Sequence, residues 1–292
     1  MVAEVTRILS DLHYGDPSSR VRRLDALGPL FAGADRIVFN GDSLETRPSP
    51  GSAETDAFRA EFIEFTRRAV PRCTVVTGNH DPDVSAIHHL ELLGGLVFIT
   101  HGEVLFDDLV PWSRELSQIR DLFREELAAL PPSRRAVPDE RLAAAKRACA
   151  RLKLADHPYP RHAWGRVLRT VRIFWPPRRT WAIFRAWREL PGRAVAFARE
   201  YRQGVRFVVV GHTHRPGVWF RSDVVVINTG SFQPPFGCYA VDVSIEQIVV
   251  REVRRSGGRL DFGRVVAAFA LAPTDDGLTD SSAIVPNLAP AP

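Results

Sequence analysis

Cysteine is scarce in this 292-residue chain: Cys73, Cys149 and Cys238 stand far apart and form no CxxC pair. An odd, scattered set supports neither a disulfide framework nor a thiolate zinc site, and its natural setting is a reducing cytoplasm. Long apolar runs are missing too. No stretch reaches the roughly 18 to 20 uninterrupted apolar residues of a membrane-spanning helix, because arginine interrupts even the most apolar candidates. The opening residues, MVAEVTRILSDLHYGD, run into a strand-like stretch without the basic start, apolar middle and cleavage site of an export signal. Lysine is almost absent: only Lys146 and Lys153 occur among 39 basic residues, as a GC-rich coding bias would give. What is present, 45% hydrophobic and 25% charged residues, suffices for one large core with an insertion or for two modest domains, and predicts a soluble, enzyme-sized body.

Charge is unevenly spread. Asp107 to Arg206 holds 22 basic and 11 acidic residues, so the rest of the chain is net acidic although the total is +5. The same segment breaks the secondary-structure pattern. Before it, strand-like runs at Val5 to Leu9, Arg36 to Phe39, Thr74 to Val76 and Val97 to Thr100 alternate with helix-like runs at Leu24 to Ala32, Asp56 to Arg68 and Val84 to Leu92. That alternation predicts an α/β fold with buried, largely parallel strands. The alternation resumes with Phe207 to Val210, followed by strand candidates at Val218 to Phe220, Val224 to Asn228, Tyr239 to Val243 and Gln247 to Val253, read as an antiparallel-rich second sheet. The division expected is a core of 1–106 and 207–271, a helical basic insertion or cap at 107–206 punctuated by prolines up to Pro191, and a disordered tail at 272–292.

The polar residues after the strands form five clusters: Ser10-Asp11-Leu12-His13, Asn40-Gly41-Asp42, Gly78-Asn79-His80-Asp81, Thr100-His101-Gly102 and Gly211-His212-Thr213-His214. Ligands of open α/β sheets collect outside the carboxyl ends of the strands, so clusters placed there can converge on one crevice. In Asp11-x-His13 and His212-x-His214, residues two apart project to one side of an extended chain. Imidazole, carboxylate and amide donors without thiolate suit Mn²⁺, Fe²⁺ or Zn²⁺ better than an all-oxygen Ca²⁺ or Mg²⁺ site.

These clusters, in this order, resemble the pattern D-x-H, G-D, G-N-H-D, H-G, G-H-T-H of the calcineurin-like metallophosphoesterases, over about residues 5 to 106 and 207 to 250. The resemblance implies a four-layer αββα sandwich with two packed mixed sheets. It also implies two divalent cations, Mn²⁺ first and Fe²⁺ or Zn²⁺ as alternatives. Asp11, His13 and His214 would hold one, Asn79, His101 and His212 the other, and Asp42 would bridge them. Such a pair activates water for attack on a phosphate ester. By the same resemblance His80 stands near the leaving oxygen, with Asp81 orienting its ring. Thr229-Gly230-Ser231 resembles a supporting turn of the family. Glu45 and Arg47, after the bridging Asp42, are candidate substrate contacts. His88 and His89, on a predicted helix, and His157 and His162 match no motif.

The insertion bears on substrate. From His157 to Arg206 there are 12 basic and 2 acidic residues, with Trp164, Trp175, Trp181 and Trp187 among them. Arg161 to Trp175 has its apolar residues at helical spacing with arginines on other faces, and a second such run follows Pro176-Pro177. Basic amphipathic helices of this kind lie on anionic membranes, which predicts a lipid-linked or nucleotide-sugar substrate met through residues 161–190, on the inner face of the membrane. The run Gly41 to Glu45 and the late insertion are similar to UDP-2,3-diacylglucosamine hydrolases, a branch that carries Arg where this chain has His80 and has a shorter insertion. Three alternatives share the composition: an apolar stripe that packs on the enzyme core with its arginines in solvent, a nuclease, with aromatics stacking on bases, and a non-catalytic membrane or partner scaffold. Oligomeric state is not legible.

Overall fold

The computed structural model describes residues 4–46, 52–69, 71–135, 137–152, 177–256, 258–273 and 279–280. Strands Thr6–Leu9 (β1), Arg36–Asn40 (β2) and Arg72–Val76 (β3) pair in parallel. Val97–Thr100 (β5), Phe207–Val210 (β6) and Val224–Asn228 (β8) form a second parallel group, flanked by the antiparallel edges His89–Leu92 (β4) and Gly217–Arg221 (β7). Strands Cys238–Val243 (β9), Gln247–Ser256 (β10) and Arg259–Ala270 (β11) complete the first sheet in the order β11-β10-β9-β1-β2-β3, against β4-β5-β6-β8-β7 in the second.

The continuous apolar strands follow from burial on both faces. Ile8, Val38, Val209 and Ile227 point into the space between the sheets, while their neighbours Leu9, Phe39, Val208 and Val226 point outward, as the two-residue period of a strand requires. The outer face of the first sheet is covered by a 3-10 segment, Leu24–Phe31, and by helix Ala53–Arg68 (α1), which Ser52 caps by accepting from the Thr55 N–H at 3.2 Å. The second sheet is covered by helix Pro177–Tyr201 (α4), whose Ala186, Leu190, Ala194 and Phe197 pack on Phe98, Val208 and Val226. Helices Leu116–Ala128 (α2) and Pro138–Arg151 (α3) form a hairpin with its own small core around Ile119, Phe123, Ala145 and Cys149. The result is the four-layer αββα sandwich with two mixed sheets.

Four sequence expectations change. Val84 to Leu92 is not a helix: it is a turn leading into β4, where Leu90 and Leu92 pack on the core and Glu91 is exposed, so a period of two was read as 3.6. Strands β9 and β10 join the first sheet beside β1, not the second, because strand patterning carries no information about pairing partners. The twelve-residue β11 had no counterpart among the sequence-based strands. Pro191 lies inside α4 and does not end it; the buried residues on either side, Leu190, Ala194 and Val195, hold the helix to the sheet. Residues 153–176, including the run Arg161 to Trp175, His157 and His162, lie outside the described residues. So does the expected tail, except for Ala272–Pro273 and Thr279–Asp280, which pair as a short ladder.

Candidate metal centre

The ends of both parallel groups meet at one edge of the sandwich. Asn40, last in β2, donates from its side chain to the Thr100 carbonyl of β5 at 2.9 Å, and the Gly211 N–H donates to the His101 carbonyl at 2.9 Å. The first loop is pinned to the second by Asp11 N–H to the Gly41 carbonyl (3.0 Å) and His13 N–H to the Asp42 carbonyl (2.8 Å). The turn after β8 supports the histidine pair: the Asn228 amide donates to the Gly211 carbonyl at 2.7 Å and to Thr213 Oγ1 at 3.0 Å, and Ser231 donates to the Asp11 carbonyl.

Eight non-glycine residues among those described have positive φ, and five of them are Asp11, His13, Asp42, His212 and His214. Each such conformation costs on the order of 1 to 3 kcal/mol and persists where the surroundings over-determine it, which is the habit of functional sites. A sixth, Leu109, supplies a carbonyl to the site.

The side chains converge as two abutting groups. Ligand atoms of Asp11, His13, Asp42 and His214 all lie within 4.8 Å of one another. His214 Nε2 is 3.3 Å from Asp11 Oδ1 and 3.1 Å from His13 Nε2. In the second group, Asn79 Oδ1 is 2.8 Å from His212 Nδ1 and 3.2 Å from His101 Nε2. One oxygen joins the groups: Asp42 Oδ2 is 3.2 Å from His101 Nε2 and 3.8 Å from His13 Nε2. The outward nitrogens are held by acceptors. His101 Nδ1–H donates to the Asn40 carbonyl at 3.1 Å, His212 Nε2–H to the Leu109 carbonyl at 2.9 Å, and His13 Nδ1–H to Glu45 at 3.2 Å. Such outer partners fix the tautomer and turn the opposite lone pair inward. Lone pairs of His13 Nε2, His101 Nε2 and His212 Nδ1 thus face carboxylate and amide oxygens, an arrangement of acceptors that divalent cations satisfy.

The electrostatics agree. Burial alone would raise the Asp42 carboxyl, but His101 and then His80 beside it pull it well below the usual carboxylate range. Burial opposes charge on His101, yet Asp42 and Asp11 raise it to about 9, so the carboxylates favour positive charge at its Nε2, which a proton supplies until a cation takes its place on the lone pair. His212 is driven down to about 4 by burial, then by the His101 charge, and is a neutral imidazole. The buried carboxylates call for positive charge, which two cations supply.

His80 and its neighbours differ from the sequence reading. Asp81 does not hold the His80 ring: its carboxylate accepts from the backbone N–H groups of Asp42 (3.0 Å), Ser43 (2.8 Å), Leu44 (3.1 Å) and Gly78 (2.7 Å), tying two loops together. Glu45 takes the ring, with Oε1 2.8 Å from His80 Nδ1, while its Oε2 meets His13. Glu45 therefore supports two histidines at once. The Gly-Asp-x-x-Glu spacing was the available signal; local reasoning could not choose between Glu45 and the adjacent Asp81. Arg47 lies outside the described residues. His88 bonds Thr77 Oγ1 at 2.8 Å and His89 begins β4. Sequence reasoning missed the Asn40 and Leu109 carbonyls, and Trp112, whose ring stands 4.9 Å from that of His212.

Close approach makes Gly78 a tight position: a Cβ there would collide with Asp42 Oδ1 and its backbone N, so one of the two loops would have to shift. Gly78→Ala is expected to displace Asp42 and lower metal affinity by at least about tenfold, measured by metal titration; an unchanged affinity would show that the loop yields.

Residues 6–216 match the calcineurin-like phosphoesterase family, and the chain belongs to it. It is a metal-dependent phosphoesterase of a family built around a dinuclear centre. A search of curated proteins gives no match. Among solved structures, a predicted phosphoesterase from Streptococcus pneumoniae is 15% identical, with a TM-score of 0.39, covering 90% of this chain and 98% of its own. A dimetal phosphatase from Danio rerio is 11% identical, with a TM-score of 0.43, covering 85% and 95%. Vacuolar Protein Sorting 29 from Cryptosporidium parvum is 13% identical, with a TM-score of 0.44, covering 92% and 98%.

Proposed function

We propose that Asp11, His13 and His214 hold one Mn²⁺, that Asn79, His101 and His212 hold the other, and that Asp42 bridges them. The observation that carries this is the single Asp42 oxygen facing both histidine groups. Bound there, a cation pair lowers the pKa of water and neutralises phosphoryl oxygens. The chain's own part is orientation and proton delivery. Glu45, 2.8 Å from His80 Nδ1, fixes the ring and opposes loss of its proton, so that His80 would supply the proton taken by the leaving oxygen. Metal-dependent hydrolysis of an aryl phosphate, an aryl phosphodiester, a nucleotide-sugar pyrophosphate and single-stranded DNA tests the reading. No metal-dependent turnover of any of them counts against it, and cleavage confined to the DNA selects a nuclease.

For substrate, the reading is a phosphate ester with an apolar part, met at an anionic membrane on the cytoplasmic side, with 107–206 as the insertion that receives it. On α4, Trp181 is 69% and Phe184 52% exposed, beside Arg185 and Arg188. This aromatic row continues to Trp187, whose indole N–H donates to the Thr213 carbonyl at 2.9 Å, between His212 and His214. The Arg215 guanidinium sits 5.4 Å above the Trp187 ring. An apolar row edged by cations and ending at the metal loop suits a lipid-like ester. No described helix is long and apolar enough to cross a membrane. Trp181→Glu with Phe184→Glu is expected to reduce co-sedimentation with phosphatidylglycerol vesicles at least about tenfold, each buried aromatic contributing about 1.5 to 3 kcal/mol, while aryl phosphate hydrolysis is unchanged. Equal sedimentation of both proteins would sink the membrane reading.

A further inference from the structure

Helix α3 sends one side chain beneath the metal loops. Lys146 is 2% exposed; its ammonium donates to the Thr77 carbonyl at 2.7 Å and pairs with Glu103, which is fully buried. Thr77 immediately precedes Gly78-Asn79, and Glu103 follows His101-Gly102. One ammonium therefore touches both backbone segments that carry ligands of the second group. The Glu103 carboxylate also acts electrostatically on His101 and His212, and its Oε2 has no hydrogen-bond partner among the described residues.

Residue type sharpens the point. Only two of the chain's 39 basic residues are Lys, and one of them occupies this buried position. A compact ammonium directs its donors at a carbonyl and a carboxylate from a confined space, whereas a guanidinium is a larger planar fork. Packing does not account for the pair, because a buried ion pair is commonly no more stable than apolar residues of equal volume.

We infer that Lys146 and Glu103 are positioning residues for the second cation: they hold the Asn79 and His101 segments at the separation that lets both ligands and His212 close on one ion. This rests on the dinuclear reading above. The α2–α3 hairpin and the occupancy of that one position are thereby linked.

The test is Mn²⁺ titration calorimetry on the full chain, with melting in EDTA measured in parallel. The wild type is expected to bind two ions. Lys146→Met is expected to weaken one position by about 10- to 100-fold and leave the other within about threefold. Because Lys146→Met strands the Glu103 charge, the double variant Lys146→Met/Glu103→Gln removes both charges; it is expected to melt in EDTA close to the wild type and still show one weakened position. Two wild-type affinities in the folded double variant would overturn the inference, as would failure of both variants to fold, which reduces the pair to a structural role. A wild type that binds no Mn²⁺ would instead overturn the dinuclear reading, so the two failures are distinct.

Discussion

Asp42→Ala is expected to lower kcat/KM for an aryl phosphate by about 10³-fold or more, roughly 4 kcal/mol of transition-state stabilisation, and to empty both cation positions. Three contacts explain why one residue has this reach. Asp42 Oδ2 faces His101 and His13, one from each ligand group, and Oδ1 accepts the His80 backbone N–H at 2.8 Å. Removing the carboxylate would remove the anionic charge proposed to serve both cations and release the loop that carries Asn79 and His80. Asp42→Asn separates these effects: the amide oxygen can keep the His80 contact, but the charge is gone. The check is metal content after chelation and Mn²⁺ reconstitution, alongside turnover. The wild type should regain its activity with the metal. An Asp42→Ala protein that holds two ions and turns over normally would remove Asp42 from the centre.

His80→Ala is expected to reduce kcat by about 10²- to 10⁴-fold, the range for a lost general acid, with both ions retained. The proposed ligand set does not include the His80 imidazole, whose Nδ1 is held by Glu45 although the ring also lies near His13. Glu45→Gln should behave differently, because its other oxygen holds His13. It is expected to lower kcat and also to weaken metal binding by about 10- to 100-fold, as loss of an outer partner of a ligating histidine does. The pair of variants thus divides chemistry from metal retention. If His80→Ala lost metal in proportion to rate, the ring would have to be counted among the ligands and its role as an acid abandoned.

How far this site can be read from sequence depends on the range of each interaction. The five polar clusters are legible because each sits directly after an apolar strand, and Asp11-x-His13 and His212-x-His214 carry their spacing within three residues. The choice of Glu45 over Asp81 as the partner of His80 was not legible. Asp81 is adjacent in sequence, yet its oxygens are consumed by four backbone N–H groups from two loops. Lys146 was likewise read only as composition, since its partners Thr77 and Glu103 lie 69 and 43 positions away along the chain.

The sequence by itself determined the class of fold, through apolar runs of strand length alternating with helix periodicity, and the class of chemistry, through the donor types at the strand ends. Both are local properties, set by the side-chain period of each element and by which residues terminate it. Tertiary structure alone decided that β9, β10 and β11 return to the first sheet, that α4 covers the second while leaving Trp181 and Phe184 in solvent, and that the Asp42 oxygen stands between two histidine groups. Those outcomes depend on which surfaces meet across the core, and a pattern along one strand or helix does not specify the element packed against it.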